Sequence, residues 1–75
     1  MDKYIVNRIL RRIIRDKKLK QKDVAEKAGF SAQTMSNILR NKRYIYADEL
    51  CPLCMAIGVS MRKVIAEWEA EQNGS

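Results

Sequence analysis

Cys51 and Cys54 are the two side chains in this 75-residue chain that stand at the spacing of a reactive pair, Cys51-Pro52-Leu53-Cys54. Such a pair can exchange disulfides where a helix start lowers one thiol pKa, but that chemistry usually sits in a βαβ surround, which is missing here. A structural zinc site wants four ligands, and the chain offers two thiols and no histidine. The lack of histidine also removes the commonest general base. No nucleophile–base pair or metal set can be assembled, so neither an enzyme nor a cofactor nor a metal is expected. Buried free cysteines behave as small apolar residues, and both are read that way, with redox control as the alternative.

The non-covalent chemistry is more telling. The chain carries 15 Lys and Arg against nine Asp and Glu, a net charge of +6. Residues 1–43 hold 13 basic and four acidic side chains, a net of +9, and residues 44–75 hold two and five, a net of −3. A polyanion partner for the first part follows, either nucleic acid or an anionic membrane surface, with an ordinary solvated surface as the bland alternative. Gln33, Ser36 and Asn37 recur at the spacing of one polar helix face. A basic loop, Asn41-Lys42-Arg43-Tyr44, lies just beyond them.

The elements that must position these residues are helices. Seventy-five residues make one domain, and a chain of this size buries only about 60% of the surface it exposes when unfolded. Apolar residues at 47% and charged ones at 32% indicate a globular chain, and three Gly and one Pro leave little material for the turns of a small β fold. No apolar run reaches membrane-spanning length and no signal-peptide pattern opens the chain, so a cytoplasmic protein without membrane partners is expected. Five helices are predicted. The first spans about Lys3 to Lys17 with Asp2 as N-cap, and its stripe is Ile5, Val6, Ile9, Leu10, Ile13 and Ile14. Arg8, Arg11, Arg12 and Arg15 fill its other face. A basic amphipathic membrane helix is the lesser reading, since the stripe is needed to close the core.

The second helix spans about Gln21 to Ala28 and stops at Gly29; the third follows Ser31, an N-cap, with Phe30 placed to staple onto Met35. The fourth is expected to start at Asp48 or Glu49, because a start at Ala47 would leave Pro52 inside the helix at the loss of a hydrogen bond. The fifth follows Ser60 and points Met61, Val64, Ile65 and Trp68 inward. Residues 1–70 form the domain and residues 71–75 a disordered tail.

Two eight-residue helices around a Gly-centred turn have the helix-turn-helix plan. Ala25 must be small where the second helix crosses, Gly29 supplies a left-handed turn, and Met35 and Ile38 plug the crossing. With Leu19, Gln21, Val24 and the later Ala56-Ile57-Gly58-Val59-Ser60, these residues give a chain that strongly resembles the Cro and repressor type of helix-turn-helix protein, the lambda repressor-like XRE family. The resemblance covers about residues 5–68. It implies an all-α, compact five-helix lambda repressor-like DNA-binding domain with the motif at about residues 21–40.

The same resemblance implies a third helix lying in the DNA major groove, with Ala32, Gln33, Ser36 and Asn37 nearest the bases. Gln33 can pair bidentately with adenine, as can Asn37 if it reaches, while Ala32 offers only a methyl where relatives often carry glutamine. Phosphates are assigned to Gln21 at the start of helix two and to Arg40, Lys42, Arg43 and Tyr44. Lys20 replaces the usual Ser or Asn cap, and Ile14 and Leu39 stand where relatives often place an Arg–Glu pair. The implied role is a phage or mobile-element Cro-like repressor, binding a pseudo-palindromic operator as a homodimer and needing no small-molecule ligand. A single domain leaves no room for a sensing module. Ile65 and Trp68 are the candidate dimer residues, with Trp68 serving as core in the other reading. The runner-up is a protein-binding module on the same fold, an antitoxin or anti-repressor adaptor.

Overall fold

The computed structural model describes residues 3–73, so the proposed Asp2 cap and residues 74–75 lie outside the described residues. Five helices follow one another: α1 (Ile5–Asp16), α2 (Gln21–Ala28), α3 (Ala32–Leu39), α4 (Ala47–Ile57) and α5 (Met61–Asn73). No strand occurs among the described residues. The α1 stripe supplies the largest share of the core. Ile5, Ile9, Leu10, Ile13 and Ile14 are buried, and Val6 packs at the edge. Val24 and Ala25 of α2, Met35, Ile38 and Leu39 of α3, Leu53, Cys54 and Ile57 of α4, and Val64 of α5 complete it. Helix α4 lies on α2, α5 lies on α1, and α3 is held between α1 and α2.

The turns that set these crossings are local chemistry. At Gly29, with φ +81°, the Phe30 N–H reaches back to the Ala25 carbonyl at 2.8 Å, which closes α2 and swings the chain into α3. An L side chain resists that backbone, so the glycine is required by conformation even though the space around it is open. Ser31 then caps α3, its Oγ accepting from the Thr34 N–H at 3.1 Å. Phe30 is partly buried against the core cluster that contains Met35. At the other end of the molecule Gly58, φ +80°, ends α4. Lys17 Nζ donates to the Ile57 and Gly58 carbonyls at 2.9 and 3.0 Å, and a cation at that helix C-terminus satisfies groups the helix leaves open.

Three expectations are corrected. Helix α4 starts at Ala47 and contains Pro52, which leaves the Asp48 carbonyl without its helical N–H donor. The early start is held by Glu49, whose carboxylate accepts from the Tyr46 N–H at 3.0 Å. Helix α5 turns only Val64 into the core, leaving Met61, Ile65 and Trp68 on its exposed side. The helix also runs on through Asn73, past the tail boundary at residue 70. Glu71 is tied back to α1 by Arg8 at 3.6 Å and Arg12 at 3.5 Å, which holds that last turn in place.

Candidate nucleic-acid interface

The buried side of α3 is Met35, Ile38 and Leu39, so its opposite face must carry Ala32, Gln33, Ser36 and Asn37. Ala32 and Gln33 are exposed, and Ser36 and Asn37 are half-buried. Gln33 Nε2 donates to Asn37 Oδ1 at 3.0 Å, one turn further along the helix. That bond fixes two amides relative to each other. It leaves the Gln33 carbonyl oxygen, its second amide proton and the Asn37 amide protons for an outside partner. A helix with side chains is about 10–12 Å across and a B-DNA major groove about 12 Å wide, so α3 can enter it with this amide pair leading. The residues predicted at the crossing, the small Ala25 and the two plugs Met35 and Ile38, are all buried, with Gly29 between them in the left-handed turn.

Around α3 the cationic and polar groups divide. Gln21 is exposed at the first position of α2, and Lys20 before it makes no side-chain cap, so the opening N–H groups of α2 lack a side-chain acceptor from the N-cap. Arg40 and Lys42 are exposed and have no ion-pair partner among the described residues. These positions suit an external anion. Arg43 is different. Its guanidinium grips Glu49 with two hydrogen bonds of 2.9 and 2.6 Å, donates to the Tyr44 carbonyl at 2.7 Å, and lies 5.1 Å from the centre of the Tyr46 ring. Their side chains are only 28% and 18% exposed. The pairing with Arg43 holds the Glu49 carboxyl below its usual range, helped by the Tyr46 N–H, and holds the Arg43 guanidinium above its own. Arg43 thus fixes the loop onto the start of α4. Tyr44 is exposed and stacks on Tyr4, ring centres 4.9 Å apart.

One residue outside the sequence assignments organises this region. Asn7 is buried in α1, and its Nδ2 donates to the carbonyls of Ile38 and Arg43, both at 2.9 Å. A single amide thereby joins the last turn of α3 to the basic loop. Asn7 is the one uncharged polar residue in α1, a signal visible beforehand, but its partners lie 31 and 36 residues away.

The cysteines stand apart from this face. The expectation that both are buried core residues holds for Cys54 and is corrected for Cys51, which is exposed on α4; burial together with Cys51 pushes the Cys54 thiol up. Cys54 Sγ lies 3.6 Å from Met61 Sδ at the edge of the core, an ordinary sulfur–sulfur contact. Among the described residues no cluster of three or more His, Cys, Asp or Glu could hold a metal, and no helix is long and apolar enough to cross a membrane.

A glycine-turned pair of eight-residue helices, the second presenting a polar face beside unpaired cations, defines a helix-turn-helix DNA-binding domain. The family model of the Cro/C1-type helix-turn-helix DNA-binding domain matches residues 9–66, and the chain belongs to that family. No curated protein and no solved structure matches the chain.

Proposed function

We propose that the protein is a sequence-specific transcriptional regulator that reads duplex DNA with α3 and represses by occupying its operator, in the manner of a phage or mobile-element Cro-like repressor. The carrying observation is the Gln33–Asn37 amide pair, exposed on α3 next to the unpaired Arg40 and Lys42. Gln33 and Asn37 supply base-edge hydrogen bonds, Ala32 and Ser36 the flanking contacts, and Gln21, Arg40, Lys42 and Tyr44 the hold on phosphates. Arg43 serves the loop first, through Glu49. The regulator acts in the cytoplasm, where its DNA lies.

The operator is pseudo-palindromic and the protein binds it as a homodimer. Support comes from the apolar groove between α1, α4 and α5, about 240 Å³, lined by Val6, Leu50, Met61, Val64, Ile65 and Trp68. Ile65 is 52% and Trp68 36% exposed, and an aromatic anchor within an apolar strip is what a self-associating surface needs. Two copies would present their α3 helices to half-sites about 34 Å apart. The same groove also favours the second reading, a protein-binding module. Selection of bound sequences from a random duplex library tests both. Enrichment of an inverted repeat is the expected result, a single half-site would point to a monomeric reader, and no enrichment would put the protein-partner reading first.

A further inference from the structure

The four arginines of α1 look alike in sequence, but the fold separates them into two rows. Arg8 and Arg12 face α5: Arg12 meets Glu67 at 3.1 Å and Glu71 at 3.5 Å, and Arg8 meets Glu71 at 3.6 Å. Arg11 and Arg15 stand on the neighbouring row, one helical turn and about 6 Å apart. Both are exposed. Arg11 has no ion-pair partner among the described residues, and Arg15 has only its sequence neighbour Asp16, 3.7 Å away with both side chains largely in water.

These two arginines share one concavity, about 360 Å³, with Gln21 and Arg40 on its rim and Ile14 and Leu39 in its floor. The floor is apolar and buried, so nothing in it neutralises the guanidinium groups above. The uncapped start of α2 opens at the same place through Gln21. Three guanidinium groups, a side-chain amide and a helix start therefore converge beside the reading helix. Such convergence of donors and positive charge suits phosphate oxygens.

We propose that Arg11 and Arg15 extend the DNA-binding surface onto α1, clamping two backbone phosphates of the duplex beyond those held by Gln21 and Arg40. The proposal rests on the DNA-binding reading of α3 and adds a site to it. A duplex seated on α3 brings its flanking backbone toward Gln21 and Arg40, and the concavity continues that track to α1. Arg8 and Arg12, neutralised by α5, take no part.

The test compares two variants of equal charge change, Arg11→Gln/Arg15→Gln and Arg8→Gln/Arg12→Gln, on the duplex recovered by library selection. The logarithm of affinity is followed against the logarithm of salt concentration. The α1 clamp predicts a slope shallower by roughly 1.8 for Arg11→Gln/Arg15→Gln, from two phosphates at about 0.9 each, and an unchanged slope for the other pair. Phosphate ethylation interference on the same complex should lose two positions with the first variant and none with the second. Equal changes in both variants, or an unchanged slope and footprint with Arg11→Gln/Arg15→Gln, would overturn the clamp. If the parent protein shows no sequence preference or salt dependence on any duplex, the DNA reading itself fails and the clamp with it. A parent that reads sequence while the first variant keeps the full slope removes the clamp alone. All four arginines lie at the surface or half-buried, and thermal unfolding confirms that binding is compared between folded proteins.

Discussion

The face built by α2 and α3 and the seam between α1 and α5 are both rich in charge, and they use it in opposite ways. Along the seam, Arg8 and Arg12 are answered by Glu67 and Glu71, and the guanidinium–carboxylate pairs hold α5 down to its last described turn. Around α3, Arg11, Arg40 and Lys42 are left without partners among the described residues. A count of basic residues does not separate the two. What marks the proposed contact face is charge that the fold leaves unanswered, next to polar groups fixed in position. Arg43 tests this distinction, because it sits in the basic loop by sequence yet behaves as a seam residue, gripping Glu49.

The largest effect is expected at Asn7, which joins the scaffold to the proposed contact face. Asn7→Ala leaves the Ile38 and Arg43 carbonyls without that donor, at a cost of about 1–3 kcal/mol for the unmade bonds and more for the void. Thermal unfolding should drop by roughly 4–8 °C per kcal/mol in a domain of this size. DNA affinity measured well below that transition should also fall, because the loop and the end of α3 lose their common tether. A variant that melts like the parent would show that the amide is not structural. On the proposed reading, Gln33→Ala touches the contact face and not the scaffold. It should cost about 1–3 kcal/mol of discrimination at one base pair while leaving thermal stability within about 0.5 kcal/mol. Equal losses on every duplex sequence would mean that α3 does not read bases through this residue.

Much of this architecture is legible in the amino-acid order, and the part that is not has a common cause. The spacing of Ala25, Gly29, Met35 and Ile38 declares the α2–α3 hairpin because turn chemistry and helical period are local. The polar face of α3 follows from the same period. Helix α5 shows the limit: Met61, Val64, Ile65 and Trp68 form an apolar stripe, but only the packing against α1 shows that Val64 alone of them is buried. The ion pairs of Arg8 and Arg12 and the hydrogen bonds of Asn7 cross more than 30 residues, and no periodicity encodes them. Likewise the start of α4 is hard to place locally, because Pro52 weighs against Ala47, whereas Glu49 holds the Tyr46 N–H in the cap.

The Arg43–Glu49 pair makes part of the fold's stability depend on pH. Arg43 depresses the Glu49 carboxyl pKa in the folded protein, so the pair stabilises the fold fully above the unfolded value of about 4.3 and loses that contribution as pH falls through the depressed one. With both side chains partly in contact with water, Arg43→Gln should cost on the order of 1 kcal/mol near neutral pH. Urea unfolding across a pH series should show parent and variant converging at the acid end. A constant gap at all pH values would mean that Arg43 works through packing and its bond to the Tyr44 carbonyl rather than through charge.

The smallest effect is expected at Lys20, where the two demands oppose each other in one residue. Ser31 caps α3, but Lys20 leaves α2 uncapped, and the chain has kept a cation where a hydroxyl would stabilise the helix. Lys20→Ser should therefore raise stability by about 0.5–1 kcal/mol, since its oxygen can accept from the N–H two or three residues on. The new cap would occupy an N–H otherwise open to a phosphate, and the substitution removes one positive charge from that site. Weaker operator binding at low salt should accompany the higher melting temperature, with the difference fading as salt rises. Opposite signs in the two measurements would place Lys20 with the contact face. A variant both more stable and equally tight would place it outside that face, and the boundary of the unanswered charge would then be drawn at Gln21.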